Sequence, residues 1–102
     1  YYEKADLARQ YKDWDEVVRL WNEAEAADLL PYSGAEYVPF IEAFAHIGEW
    51  NKAQELTVHA NRISDRMGHY LCDIWMNLNY EDAPKNVLDK LNERLSCELL
   101  PQ

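Results

Sequence analysis

Apolar positions recur along this chain with the period of a helix. Tyr1, Ala5, Ala8 and Tyr11 fall at i, i+4, i+7 and i+10, one stripe of a first helix. After the break KDW, a second stripe runs through Val17, Leu20, Trp21, Ala24 and Ala27 or Asp28, and stops near Pro31, which forbids continuation. Asp13 or Asp15 is placed to cap this second helix. A third stripe uses Tyr37, Phe40, Ile41, Phe44 and Ile47, ended by Gly48. Ser33 and Glu36 have the spacing of a capping box. Pro39 interrupts that stripe, so the helix either kinks there or begins near Val38. A fourth stripe holds Ala53, Leu56, Ala60 and Ile63, with Asn51 as its expected cap. Leu71, Ile74, Trp75 and Leu78 form a fifth, and Val87, Leu88, Leu91 and Leu95 a sixth. There Asp82 is the expected cap, and Pro84 falls in the first turn, where its missing N–H costs nothing. Alternating polar and apolar positions, the signal of strands, do not persist anywhere.

The stripes repeat. Trp14 and Trp50 are 36 positions apart, and the same offset aligns Tyr1 with Tyr37, Ala8 with Phe44, Val17 with Ala53, Leu20 with Leu56 and Ala24 with Ala60. A third unit follows at an offset of 34 and keeps only the apolar skeleton. The predicted fold is all-α: a single domain of six helices in three antiparallel hairpins, approximately 1–30, 33–65 and 69–98. Three hairpins are about the minimum for a stable stack. Trp14 and Trp50 are expected to wedge the turns of their hairpins, and all four tryptophans to pack in the core.

The segment GEWNKAQELTVHA, Gly48 to Ala60, resembles the tetratricopeptide repeat: a turn Gly, a turn aromatic, a small residue three further on (Ala53) and another seven beyond it (Ala60). KDWDEVVRLWNEA in the first unit is similar, with Lys12 in place of the Gly and Trp21 at an aromatic position where the second unit has Thr57. The resemblance implies a short right-handed α-solenoid whose first helices line a concave groove. Carried over onto this chain, the groove residues are Tyr2, Asp6, Arg9 and Gln10; Val38, Glu42, Ala45 and His46; and His69, Cys72, Asp73, Met76, Asn79 and Tyr80. It also implies a non-catalytic module that binds a peptide or neighbouring domain. Family members that grip a C-terminal carboxylate use Lys, Arg and Asn, whereas the matching positions here carry Tyr2, Asp6, Val38, Glu42 and Cys72. Acidic Asp6 and Glu42 argue for a neutral or basic ligand. The string YVPFIEAFAHIGEWNKA is also similar to soluble tail modules of some bacterial membrane glycosyltransferases, which implies an accessory role beside a membrane.

Composition narrows the partners. Hydrophobic residues are 48% and charged residues 28% of the 102, a globular balance, and the net charge is −9. That charge repels phosphate backbones and anionic membranes, so nucleic acid is not an expected partner. No apolar run reaches the roughly 18 residues of a membrane helix. The helix DEVVRLWNEAEAADLL has an acidic polar face with Arg19 alone, which disfavours a membrane surface. Cys72 and Cys97, 25 positions apart, form neither a zinc framework nor a dense disulfide scaffold. His69, Cys72 and Asp73 share one helical face but have no fourth ligand and no oxyanion element, so neither a catalytic site, a metal nor a cofactor is expected. A second role is self-association through apolar edges at the two ends: Leu95, Leu99 and Leu100 at one, Tyr1 and Tyr2 at the other.

Overall fold

A computed structural model describes residues 2–99. They form six α-helices: α1 (Tyr2–Gln10), α2 (Trp14–Ala26), α3 (Val38–His46), α4 (Trp50–Ile63), α5 (Gly68–Asn77) and α6 (Lys85–Leu95). Two 3-10 turns, Gly34–Tyr37 and Asp65–Met67, lead into α3 and α5. No strand occurs among the described residues. Tyr1 and Leu100, expected at the apolar ends, lie outside them.

The ends of the first three helices explain where the chain turns. α1 closes with Asp13 N–H on the Ala8 carbonyl and Lys12 N–H on the Arg9 carbonyl, both at 2.9 Å. α3 closes the same way, Glu49 N–H on Phe44 O at 2.8 Å and Gly48 N–H on Ala45 O at 3.1 Å. Each is the paired 6→1 and 5→2 bonding that needs one residue in the left-handed region. Gly48 takes it at φ +81° and Lys12 at φ +56°. The sequence offset of 36 pairs these two residues, and both take the left-handed conformation. α2 ends likewise at Asp28, φ +58°, with Leu29 N–H on Ala24 O at 2.8 Å.

The helix starts differ from several expectations. Asp13 does cap α2, its Oδ1 accepting the Glu16 N–H at 3.3 Å. Asn51 is not a cap: α4 already begins at Trp50, and Glu49 precedes it without a side-chain cap. The Ser33 hydroxyl donates to the Glu36 carboxylate at 3.0 Å instead of capping a backbone N–H. α3 begins at Val38 and puts Pro39 in its first turn, so no kink is needed. Asp82 does not cap α6, which starts one residue after Pro84.

The core follows the stripes closely. Val17, Leu20, Trp21 and Ala24 of α2, Phe40, Ile41 and Phe44 of α3, and Ala53, Leu56 and Ala60 of α4 are buried, with Leu71 and Trp75 of α5 and Val87, Leu88 and Leu91 of α6. The stripes fail at helix ends: Tyr11, Ile47 and Ile63 are exposed, because each backbone has by then begun to turn away from its neighbour.

Packing runs in sequence through the first four helices: α1 on α2, α2 on α3, α3 on α4, and α1 beside α3. The third pair departs from that order. α6, not α5, is the main partner of α4, with α5 lodged against both. After α6 the chain turns at Ser96, φ +59°, and folds back. Cys97 is joined to Cys72 in a disulfide. The Asn92 side chain clamps Leu99 through two 2.8 Å hydrogen bonds, one to its carbonyl and one from its N–H. Leu99 is therefore buried and Leu95 half-buried, which corrects the expectation of an open apolar edge at this end.

Candidate functional site

α1 and α3 lie side by side, and the side chains facing outward between them form a connected row. The Arg9 guanidinium donates to Glu42 from Nη2 to Oε1 at 2.9 Å and from Nε to Oε2 at 3.2 Å, a bidentate pair between helices. Asp6, one turn earlier, stands 3.6 Å from Arg9 Nη1. Hydrogen bonding to Glu42 raises the Arg9 pKa above its ordinary value against the opposing effect of desolvation. The charges of Glu42, Asp6 and, from α5, Tyr70 add to it. Arg9 is thus a fixed cation.

Next to this pair, Trp14 stacks on His46, ring centroids 4.3 Å apart and planes 5° from parallel. Trp14 opens α2 and His46 closes α3, so the stack joins the corner of one hairpin to the first helix of the next. Arg9, Glu42, Trp14 and His46 line a shallow depression of about 400 Å³ together with Gln10 and Lys12. A second depression of about 250 Å³ lies on the other side of His46, between Trp50 and the residues after α5, Leu78, Asn79 and Asp82. Trp50 repeats the role of Trp14 with a different partner: its ring packs on Trp75 of α5 at 5.9 Å. Both turn tryptophans are half-buried and not core residues as expected, whereas Trp21 and Trp75 are fully buried.

The expected groove residues divide accordingly. Asp6, Arg9, Glu42, His46 and Asn79 flank or line these two depressions. Val38 does not: it is 3% exposed, because the 3-10 turn before α3 packs on α4 and carries the first turn of α3 into the core. Tyr2 is turned elsewhere. Its hydroxyl donates to the Leu29 carbonyl and its ring meets the Phe40 ring edge-on at 6.3 Å. Tyr80 packs against the core. His69, Asp73 and Met76 are exposed on α5 and line neither depression. His69 Nε2 and Asp73 Oδ2 are 3.6 Å apart, but Cys72 between them has its sulfur in the disulfide, so the three form no thiol-based site. No cluster of His, Cys, Asp or Glu suited to a metal occurs among the described residues. None of their helices is long and apolar enough to cross a membrane.

Sequence reasoning missed Lys12, Trp14, Trp50 and Asp82 as surface residues of the site. The signal was present in the corner position itself. A residue that opens the second helix of a hairpin sits at a corner, where an indole can face a neighbouring helix and solvent at once. No protein-family model, curated protein or solved structure matches this chain.

Proposed function

We propose that this chain is a non-catalytic interaction module of the tetratricopeptide-like kind. It holds an extended peptide or a segment of a neighbouring domain along α1, α3 and the end of α5. The observation that carries this reading is the tied row Arg9–Glu42 beside Trp14–His46. It is a rigid, half-exposed strip of aromatic surface with fixed charges of both signs, flanked by two shallow depressions. Such surfaces suit peptide recognition, in which a few anchored aromatic and Arg residues supply most of the affinity. Because Glu42 is already paired with Arg9, the preference for a neutral or basic peptide rests on Asp6 and Asp82 and on the overall charge of −9. The disulfide suits work in an oxidising compartment.

Selection of a random peptide display library against the 102-residue protein tests this reading. Peptides with basic and apolar residues should be enriched, and Trp14→Ala combined with His46→Ala should abolish their capture. If no sequence class emerges above background, or if the double variant captures the same peptides equally well, the groove is not the binding surface.

A second reading has one observation in its favour. The outer side of the first hairpin carries a depression of about 390 Å³ between Lys4, Leu7, Tyr11 and Leu20. Leu7 and Tyr11 are 54% and 78% exposed there. A structural role, in which this face joins the module to a neighbour or to a second copy, would use it. Sedimentation at increasing concentration separates self-association from a monomer.

A further inference from the structure

A cavity of about 270 Å³ opens on the side of the molecule formed by α2, α4 and α6, walled by Trp21, Leu30, Tyr37 and Leu56. Two buried side-chain polar atoms among the described residues have no hydrogen-bond partner, the indole Nε1 of Trp21 and the hydroxyl of Tyr37. Trp21 and Tyr37 both line this one cavity, and their rings are 5.8 Å apart. Buried polar groups are nearly always satisfied, and leaving a donor unpaired is costly, so two on neighbouring rings call for a common acceptor.

The rim supplies the matching charge. Lys52, Arg62 and Lys90 border the cavity with His59, three cations against the two carboxylates of Glu25 and Glu55 that also line it, in a chain that has only ten Lys and Arg in all. Arg62 and Lys90 make no ion pair among the described residues, whereas Lys52 is 3.3 Å from Glu25 and 3.9 Å from Glu55. The Lys52 ammonium lies 5.6 Å from the centre of the Trp21 ring.

From this we propose a binding site for a small organic oxyanion with an apolar body. The indole N–H of Trp21 and the phenol O–H of Tyr37 donate to its oxygens, Arg62 and Lys90 balance its charge, and Leu30 and Leu56 cover its apolar part. Both donor atoms are buried, so the proposed site requires the wall beside them to open, and Lys52, whose ammonium stands over the Trp21 ring, is the wall residue to which we assign that movement. This site is on different elements from the Arg9–Glu42 row and stands or falls independently of it.

The test is a titration of the uniformly ¹⁵N-labelled full chain, observing the four indole N–H resonances. The probes are benzoate and phenyl phosphate, which distinguish carboxylate from phosphate, with benzamide and benzyl alcohol as neutral counterparts. At least one anion should shift the Trp21 indole resonance saturably and leave that of Trp14 in place. Its affinity should fall about tenfold in Tyr37→Phe, the loss of one hydrogen bond, and again in the Arg62→Ala/Lys90→Ala double variant. The proposal is overturned if neither anion moves the Trp21 resonance, if the neutral probes bind as tightly, or if Tyr37→Phe, which keeps the ring and its packing, leaves affinity unchanged.

Discussion

The Trp75 indole N–H donates to the Thr57 hydroxyl at 2.9 Å in the interior, and that hydroxyl donates in turn to the Ala53 carbonyl at 2.7 Å. Thr57 stands at the repeat position that Trp21 fills in the first hairpin. Exchanging a large aromatic for a small hydroxyl there makes room for the Trp75 ring, which is fully buried and reaches α4 from α5. Thr57 thus ties α5 to α4 through a buried hydrogen bond that has no counterpart at Trp21 in the first hairpin.

Thr57→Val keeps the shape and removes the acceptor, leaving the Trp75 N–H buried and unpaired. It should destabilise by about 1–3 kcal/mol in urea titration. Thr57→Ser retains the hydroxyl and should leave the Trp75 indole proton protected from solvent exchange. If Thr57→Val unfolds at the parent's urea midpoint, the hydrogen bond contributes nothing to this packing.

The left-handed residues at the two equivalent helix ends should respond in opposite senses. Lys12→Gly relieves a side chain of a conformation costing about 1 kcal/mol and should raise the melting temperature by a few degrees. Gly48→Ala should lower it by about 4–8 °C, even though a Cβ there meets no atom within 4 Å, because only the torsion is at fault. Equal and same-signed shifts would contradict the equivalence of the two corners.

Gly34 is held by space, not by torsion. A Cβ there would stand 2.5 Å from Met67 Sδ, 3.0 Å from the Ala60 carbonyl oxygen and 3.1 Å from Ser64 Cβ. Gly34→Ala should therefore cost about 1–3 kcal/mol by overpacking the junction of α4 with the 3-10 turn. A thermal melt superimposable on the parent's would show that this junction is loose.

The disulfide closes 25 residues of sequence separation. On a chain-entropy estimate, removing it by Cys97→Ser or by reduction should cost about 3–4 kcal/mol. The loss should be felt first in the C-terminal strap, as faster exchange of the Leu99 amide held by Asn92. Unchanged stability under reducing conditions would mean that the strap is held by Leu99 and Asn92 alone.

Much of the helical layout was legible in the sequence, because burial on one helix face imposes a period that Leu20, Trp21, Ala24, Phe40, Ile41 and Phe44 display directly. The repeat was legible from its corners, where Trp14 and Trp50 follow residues that must turn the chain. Three features were not. That α6 rather than α5 is the main partner of α4 is a tertiary choice that apolar periodicity does not encode. Cys72 and Cys97 meet only because Ser96 reverses the chain, so their spacing alone left the pair unassigned. The cavity beside Trp21 draws on α2, α4, α6 and the turn at Tyr37, and no local motif unites them. Val38 shows the opposite failure: the resemblance put it on the groove face, but the 3-10 turn before α3 packs on α4 and Val38 is buried.

The most direct measurement is the response of the four indole N–H resonances to a peptide obtained by display selection. Binding along α1, α3 and the end of α5 should shift Trp14, and Trp50 where the peptide reaches the second depression, with Trp21 and Trp75 unmoved. Shifts confined to Trp21 and Trp75, or a bound peptide that leaves Trp14 undisturbed, would contradict a groove built on Arg9–Glu42 and Trp14–His46.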